Sequence, residues 1–275
     1  MKSGKKDGNA ESPASPAAPP AAPAGALALA PARPSSAAPG SAPAALPLFY
    51  KQPELLSPDR HGGKSLAKSI NFRFARATNS VPLNSVEFAL AQRHYPIVFT
   101  PANPPLPVAI LGLRDEQNLF VNAEGGWKPG HYIPAYVRRY PFVFTTSAGE
   151  ESFALCVDAA SEFIVDGAEN PLFENGKPTQ TTNNALNFCA AFQAEFNKTR
   201  DFCAALEEQK LLDVKAADVA LPGGQKLVFG NFRVVNEARF QALPEAVVLD
   251  WYKRGWMGLV YAHLLSFGSW AHLTG

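Results

Sequence analysis

Apolar and polar positions follow different rules along this chain, and the changes of rule divide it. Residues 1 to about 45 are almost entirely Ala, Pro, Ser and Gly after a short polar start, with no aromatic side chain before Phe49. From Pro47-Leu48-Phe49-Tyr50 onward large apolar residues recur. Polar positions between Ser57 and Ser69 predict a surface loop. Phe72 and Phe74, alternating with Asn71, Arg73 and Arg76, predict a half-buried strand. Ser85 to His94 reads as a short helix ended by Pro96. Ile97–Phe99, Val108–Leu113 and Asn118–Val121 are predicted strands, the second apolar enough to be buried on both faces. Asn122 to Gly126 has hairpin-turn chemistry, because glycine accepts positive φ. Phe142–Phe144 and Phe153–Val157 read as two further strands joined by a polar turn from Ser147 to Glu151.

The period then changes. Cys189, Phe192, Phe196, Thr199, Cys203 and Leu206 recur at three- and four-residue steps, which predicts one long helix from Asn183 to Leu212. Phe188 and Phe202 widen its stripe, and Thr182 or Asn183 can cap its start. Val219–Leu221 and Lys226–Phe229 flank Pro222-Gly223-Gly224 as a hairpin would, with Phe232–Val235 extending it. Glu237–Leu243 is a short helix. Pro244 opens another that runs to Arg254, and Gly255 permits a break. Trp256 to Leu273 is apolar around most of its circumference and is expected to pack deeply. No internal repeat occurs. The order predicts an α+β fold, with an antiparallel or mixed sheet in the N-terminal half of the body followed by the long helix and the C-terminal helices.

Composition sharpens the boundaries. An Ala/Pro-rich leader over 1–45 buries too little apolar surface to offset the entropy of ordering, so it is expected to be disordered. Residues 46–275 suffice for a single globular domain. Lys2, Lys5 and Lys6 resemble the start of a signal peptide, but the apolar run from Ala24 to Ala30 is short and framed by prolines. A flexible tail and a cytoplasmic location are the expectation, with export that avoids a Sec signal as the alternative. Net charge is +1 and no basic tract follows the first seven residues, which argues against nucleic acid as a partner. No apolar run is long enough for a transmembrane segment. Three cysteines do not make a disulfide framework. Cys189 and Cys203 on one helix lie about 21 Å apart at ~1.5 Å per residue, well beyond the ~7 Å a disulfide spans.

Candidate chemistry centres on the run from Tyr132 to Phe142, which puts Arg138 and Arg139 among Tyr136, Tyr140 and apolar neighbours. Adjacent residues cannot share a face of a helix or strand, so one guanidinium can pair internally while the other faces a cleft as an anion site for carboxylate or phosphate. The competing structural explanation is pairing with Asp115, Glu116 or Asp158, plus stacking on Tyr136 or Tyr140. A second, weaker polar constellation is His61, Glu87, Arg114, Asp115 and His263, although His263 in its apolar helix also suits a satisfied core histidine. Glu87 and His94, two helical turns apart, would need His61 or His131 to make a metal site, and no metal or cofactor is expected. Asp158, Asp166, Glu169 and Glu174 suit a solvated face. No phosphate loop, dinucleotide fingerprint or GxSxG elbow occurs.

Several stretches, in order, resemble the bacterial SapC family. They are Val81-Pro82-Leu83 with Glu87-Phe88, Tyr95-Pro96-Ile97-Val98-Phe99, Gly112-Leu113-Arg114-Asp115, Asn118-Leu119-Phe120-Val121, and Gly126-Trp127. Tyr132-Ile133-Pro134, Arg138-Arg139-Tyr140-Pro141-Phe142, Leu155-Cys156-Val157-Asp158, Pro171-Leu172-Phe173 and Tyr261-Ala262-His263-Leu264 follow. The resemblance covers about Leu46 to Leu273. It implies association with a surface layer or the envelope through binding. Members encoded near flavin-dependent tryptophan halogenases and TonB-dependent receptors imply an alternative. That is a soluble enzyme or accessory in nutrient or peptide modification, binding a small anionic ligand. No catalytic residue set comes with it. A peptide-transporter permease shares the short name, but the missing membrane spans separate it from this chain.

Overall fold

A computed structural model describes residues 46–146, 153–167, 169–220 and 226–274. The expected leader and the turns at 147–151 and 222–224 lie outside the described residues. The first part of the body carries β1 (Pro53–Leu55), α1 (Pro58–His61), β2 (Lys64–Leu66), β3 (Ser80–Pro82), α2 (Phe88–Ala91), β4 (Ile97–Phe99) and β5 (Pro107–Ile110). Next come α3 (Ala135–Arg138), β6 (Phe142–Thr146), β7 (Phe153–Asp158), β8 (Ile164–Asp166), β9 (Phe173–Glu174) and β10 (Lys177–Pro178). The last part holds α4 (Gln180–Glu208), β11 (Leu212–Ala220), β12 (Lys226–Val235), α5 (Glu237–Gln241), α6 (Glu245–Lys253) and α7 (Trp256–Leu265). A 3₁₀ segment, Ser266–Leu273, follows α7.

The fold is α+β, and every strand pairing among the described residues is antiparallel. A five-stranded sheet has the order β11-β12-β4-β5-β3, and a three-stranded sheet has the order β1-β7-β6. The larger sheet is thinnest where β12 meets β4, with the single registered pair Arg233–Phe99. There α7 supplies what the ladder lacks. Buried His263 accepts from Val235 N at 3.1 Å and, through Nδ1, lies 2.8 Å from Ile97 O. Ser266 Oγ accepts from Ile97 N at 2.9 Å. The helix therefore satisfies backbone groups of both strands, as buried amides require.

Helix α4 joins the parts. Its N-terminal half puts Cys189 into the cluster built on Leu56, Phe142, Leu155, Val157 and Leu172. Its C-terminal half puts Phe202, Cys203 and Leu206 into the main core beneath the larger sheet. Between them Phe192 packs on Ala135 and Tyr136 of α3. All three cysteines are free and buried.

Four local expectations need correction. The Phe72–Phe74 alternation is not a strand: Arg73–Ala75 is a 3₁₀ turn, and both rings instead reach aromatic partners, Phe72 on Trp127 and Phe74 stacked on Tyr140 at 4.2 Å. Asn118–Val121 is a turn with one bridge from Val121 to Trp127. Asn118 Oδ1 accepts from Phe120 N at 2.9 Å and curls the chain there. The helix expected over Ser85–His94 is a 3₁₀ turn, Ser85–Glu87, followed by the single-turn α2. The long helix stops at Glu208, because Lys210 takes a left-handed φ of 53°. Leu211 and Leu212 then turn into the core at the start of β11.

Candidate functional site

Helix α3 is a single turn held at its start by a buried carboxylate. Glu87 Oε2 accepts from Ala135 N at 2.6 Å and from Tyr132 Oη at 2.9 Å, while Oε1 accepts from Asn84 N at 2.9 Å. One side chain thus closes the capping box of the Ser85–Glu87 turn and caps α3. Burial pushes the Glu87 carboxyl up from its ordinary range, and the three donors oppose that shift. Glu87 thereby fixes the start of the turn that carries the two arginines.

The two arginines diverge from α3. Arg138 is exposed. Its Nε donates to Ile133 O at 3.0 Å, its Nη2 to Tyr132 Oη at 3.3 Å, and its guanidinium carbon lies 5.3 Å from the Phe188 ring centroid. Arg139 is half-buried, its guanidinium carbon 4.1 Å from the Tyr136 centroid and 4.5 Å from that of Phe192. Its Nε is buried and has no hydrogen-bond partner among the described residues. Neither arginine forms an ion pair among those residues, so the expected partners Asp115, Glu116 and Asp158 do not hold them. Of the competing explanation, the stacking on Tyr136 is present and the acidic pairing is not.

Both arginines line an open cleft of about 560 Å³ between α4, the α3–β6 junction and the segment after β2. Lys68, Asn170, Thr181 and Asn184 add polar groups, and Leu66, Ile70, Phe142 and Phe188 apolar ones. Tyr140 also lines it, but its hydroxyl is committed to Asp158 Oδ2 at 3.0 Å, and burial raises that phenol to about 12. Asp158 is fully buried rather than solvated, and it accepts also from Gln52 N at 2.7 Å and Lys51 N at 3.2 Å. Asp166 instead pairs on the surface with Lys64, and Glu169 with Lys68. Tyr136 Oη reaches Leu48 O at 3.4 Å, and its ring forms one wall of the Arg139 stack.

The weaker constellation is not brought together. His61 is buried beside Ser57, which lies 3.3 Å from its Nδ1, and burial lowers its pKa. Arg114 and Asp115 are exposed on a turn near Asn79. His263 belongs to the sheet junction, and burial pushes it down to about 4. His94 meets His131 at 5.1 Å between ring centroids, not Glu87. No group of three His, Cys, Asp or Glu side chains among the described residues is arranged to hold a metal ion.

Sequence reasoning missed Phe192 and Phe188 as partners of the guanidiniums, and it missed Lys68, Asn170, Thr181 and Asn184 as walls of the cleft. The Phe192 and Phe188 positions were visible as helix stripe, but nothing local shows that this stripe faces α3. The Asn84-x-x-Glu87 spacing was a legible signal for the cap.

The family model SapC matches residues 56–273, nearly all of the described body. The chain belongs to the SapC family. No curated protein and no solved structure matches it. The SapC match spans α3, α4 and the cleft between them. Among the described residues of this SapC protein, no helix is long and apolar enough to cross a membrane.

Proposed function

We propose that this SapC-family protein acts by binding a small anionic ligand in the α3–α4 cleft, with Arg139 as the anchoring charge. One observation carries the reading. Arg139 has a buried, unpartnered Nε and no acidic partner among the described residues, yet its guanidinium sits in the corner formed by the Tyr136 and Phe192 rings at the cleft wall. A buried donor left unsatisfied costs about 1–3 kcal/mol, and a carboxylate or phosphate oxygen recovers it once the guanidinium turns its Nε toward the cleft that Arg139 lines. Arg138 adds positive charge at the same mouth, where Lys68 stands paired with Glu169. No His, Asp, Glu or Cys lines this cleft among the described residues, so the geometry favours binding over acid–base or nucleophilic chemistry. A ligand-binding accessory in nutrient or peptide modification fits this better than the catalyst itself.

Calorimetric titration with phosphate and with a panel of carboxylates tests the reading. Arg139→Gln is expected to weaken the best anion about tenfold or more, the scale of one charge-assisted hydrogen-bond pair. Equal affinity in the wild type and the variant would sink it.

Association with the envelope or a surface layer is the second reading. Family membership supports it, as does an exposed apolar patch between α6 and α7 formed by Leu249, Tyr252 and Tyr261. The anion-binding reading goes with a cytoplasmic location, and the envelope reading with export. Cell fractionation separates them: recovery in the cytosol alone removes the envelope association.

A further inference from the structure

The Arg139 cleft has a neighbour across Phe188. A second concavity of about 270 Å³ lies there, and Arg138 and Phe188, 5.3 Å apart from guanidinium carbon to ring centroid, line both. One face of α4 floors the pair. Thr181, Asn184, Ala185 and Phe188 line the first cleft, and Phe188, Ala191, Phe192 and Glu195 the second. At ~1.5 Å per residue, the stretch of α4 from Thr181 to Glu195 that borders the two concavities is about 21 Å long.

The two halves differ in chemistry. The first gathers Lys68, Arg138 and Arg139. The second is walled by Phe188, Ala191, Phe192, Val86 and Leu90, and the last two are 60% and 55% exposed. Its acidic groups are already engaged, Glu87 by three donors and Glu195 by Lys198 at 2.7 Å.

Resting on the anion-binding reading above, we infer that the ligand is an amphipathic monoanion, its acidic head at Arg139 and an apolar chain laid past Phe188 against Val86 and Leu90. Charge complementarity fixes the head. The walls fix the tail: α4 spends its backbone groups in its own helix, and few free polar side chains face the second half. An extended peptide there would leave amides unpartnered, whereas an alkyl chain has none to satisfy.

Titrations with acetate, decanoate and 1-decanol, followed by NMR shifts, test this on the full chain. Decanoate is expected to bind about tenfold or more tightly than acetate, because several methylenes leave water. Arg139→Gln is expected to weaken both acids and leave decanol unchanged. Ala191→Trp, at an exposed helix position, fills the second half. It is expected to bring decanoate down to the level of acetate while leaving acetate and the melting temperature unchanged. If decanoate gains nothing over acetate, or keeps its gain in Ala191→Trp, the chain does not lie in this groove and only the inference about the tail falls. If neither acid binds, or neither responds to Arg139→Gln, the anion-binding reading falls with it.

Discussion

His263 and Arg139 are both basic side chains in apolar surroundings, and their partners set their roles apart. The His263 ring is fully satisfied by strand groups, Nε2 by the Val235 amide and Nδ1 by the Ile97 carbonyl. A second ring proton would face the Val235 N–H, so the fold holds the imidazole neutral, down to a pKa of about 4 against an ordinary 6.5. The unfolded chain takes up a proton below 6.5 while the folded one refuses it. The contribution is therefore complete above pH 6.5 and is lost as pH falls toward 4, on the order of 3 kcal/mol. Urea unfolding between pH 7 and 4.5 is expected to show this loss in the wild type and a flatter profile in His263→Phe. That variant is also expected to be about 2–4 kcal/mol less stable at pH 7, with two backbone groups orphaned. An unchanged slope would place the titration elsewhere. Arg139, by contrast, keeps an unspent donor at a cleft wall, and that difference is why one residue reads as framework and the other as site.

At the scale of elements, the short helix α3 aims both arginines, and its start depends on Glu87. Glu87→Ala removes the acceptor for Ala135 N, Asn84 N and Tyr132 Oη together. The expected result is a stability loss of about 2–4 kcal/mol, with weaker anion binding although Glu87 does not line the Arg139 cleft. Wild-type affinity in a folded Glu87→Ala protein would show that α3 needs no such anchor. Elements of this kind were partly legible. The α4 stripe follows from its three- and four-residue period, the Ile97–Phe99 strand from a short apolar run that is buried throughout, and the pairing of β11 with β12 from apolar runs on either side of turn-forming residues. Phe72–Phe74 and Asn118–Val121 did not follow. A ring reaching a distant aromatic partner produces the same alternation as a pleat, and an Asx turn depends on where one amide points. The end of α4 was hidden for a related reason, since the left-handed residue is Lys210 and not a glycine.

For the whole molecule, α4 touches the clusters under both sheets and the α3 contact between them. We propose that residues 46–275 fold as one domain for this reason. Phe202 is fully buried, with Phe88, Phe99, Trp251 and Trp256 around it at ring separations of 6.0 to 6.5 Å. Phe202→Ala is expected to cost about 3–5 kcal/mol and to lower one single calorimetric transition. Two separated transitions would show that the sheets unfold independently. The arginine run stood out as a candidate because two guanidiniums among aromatic and apolar neighbours must find partners. Its depth was not, because the cleft joins residues from 66 to 188 that only the tertiary fold assembles.

The claim on which the functional account rests is that Arg139 offers its free Nε to an anion, and the Nε–Hε resonance of that residue reports on it directly. In a phosphate and decanoate titration followed by ¹⁵N NMR, with Arg139→Lys used to assign the signal, this resonance is expected to shift and saturate. Exposed arginines such as Arg114 should drift only weakly. A silent Arg139 signal while exposed arginines respond equally and without saturation would contradict it.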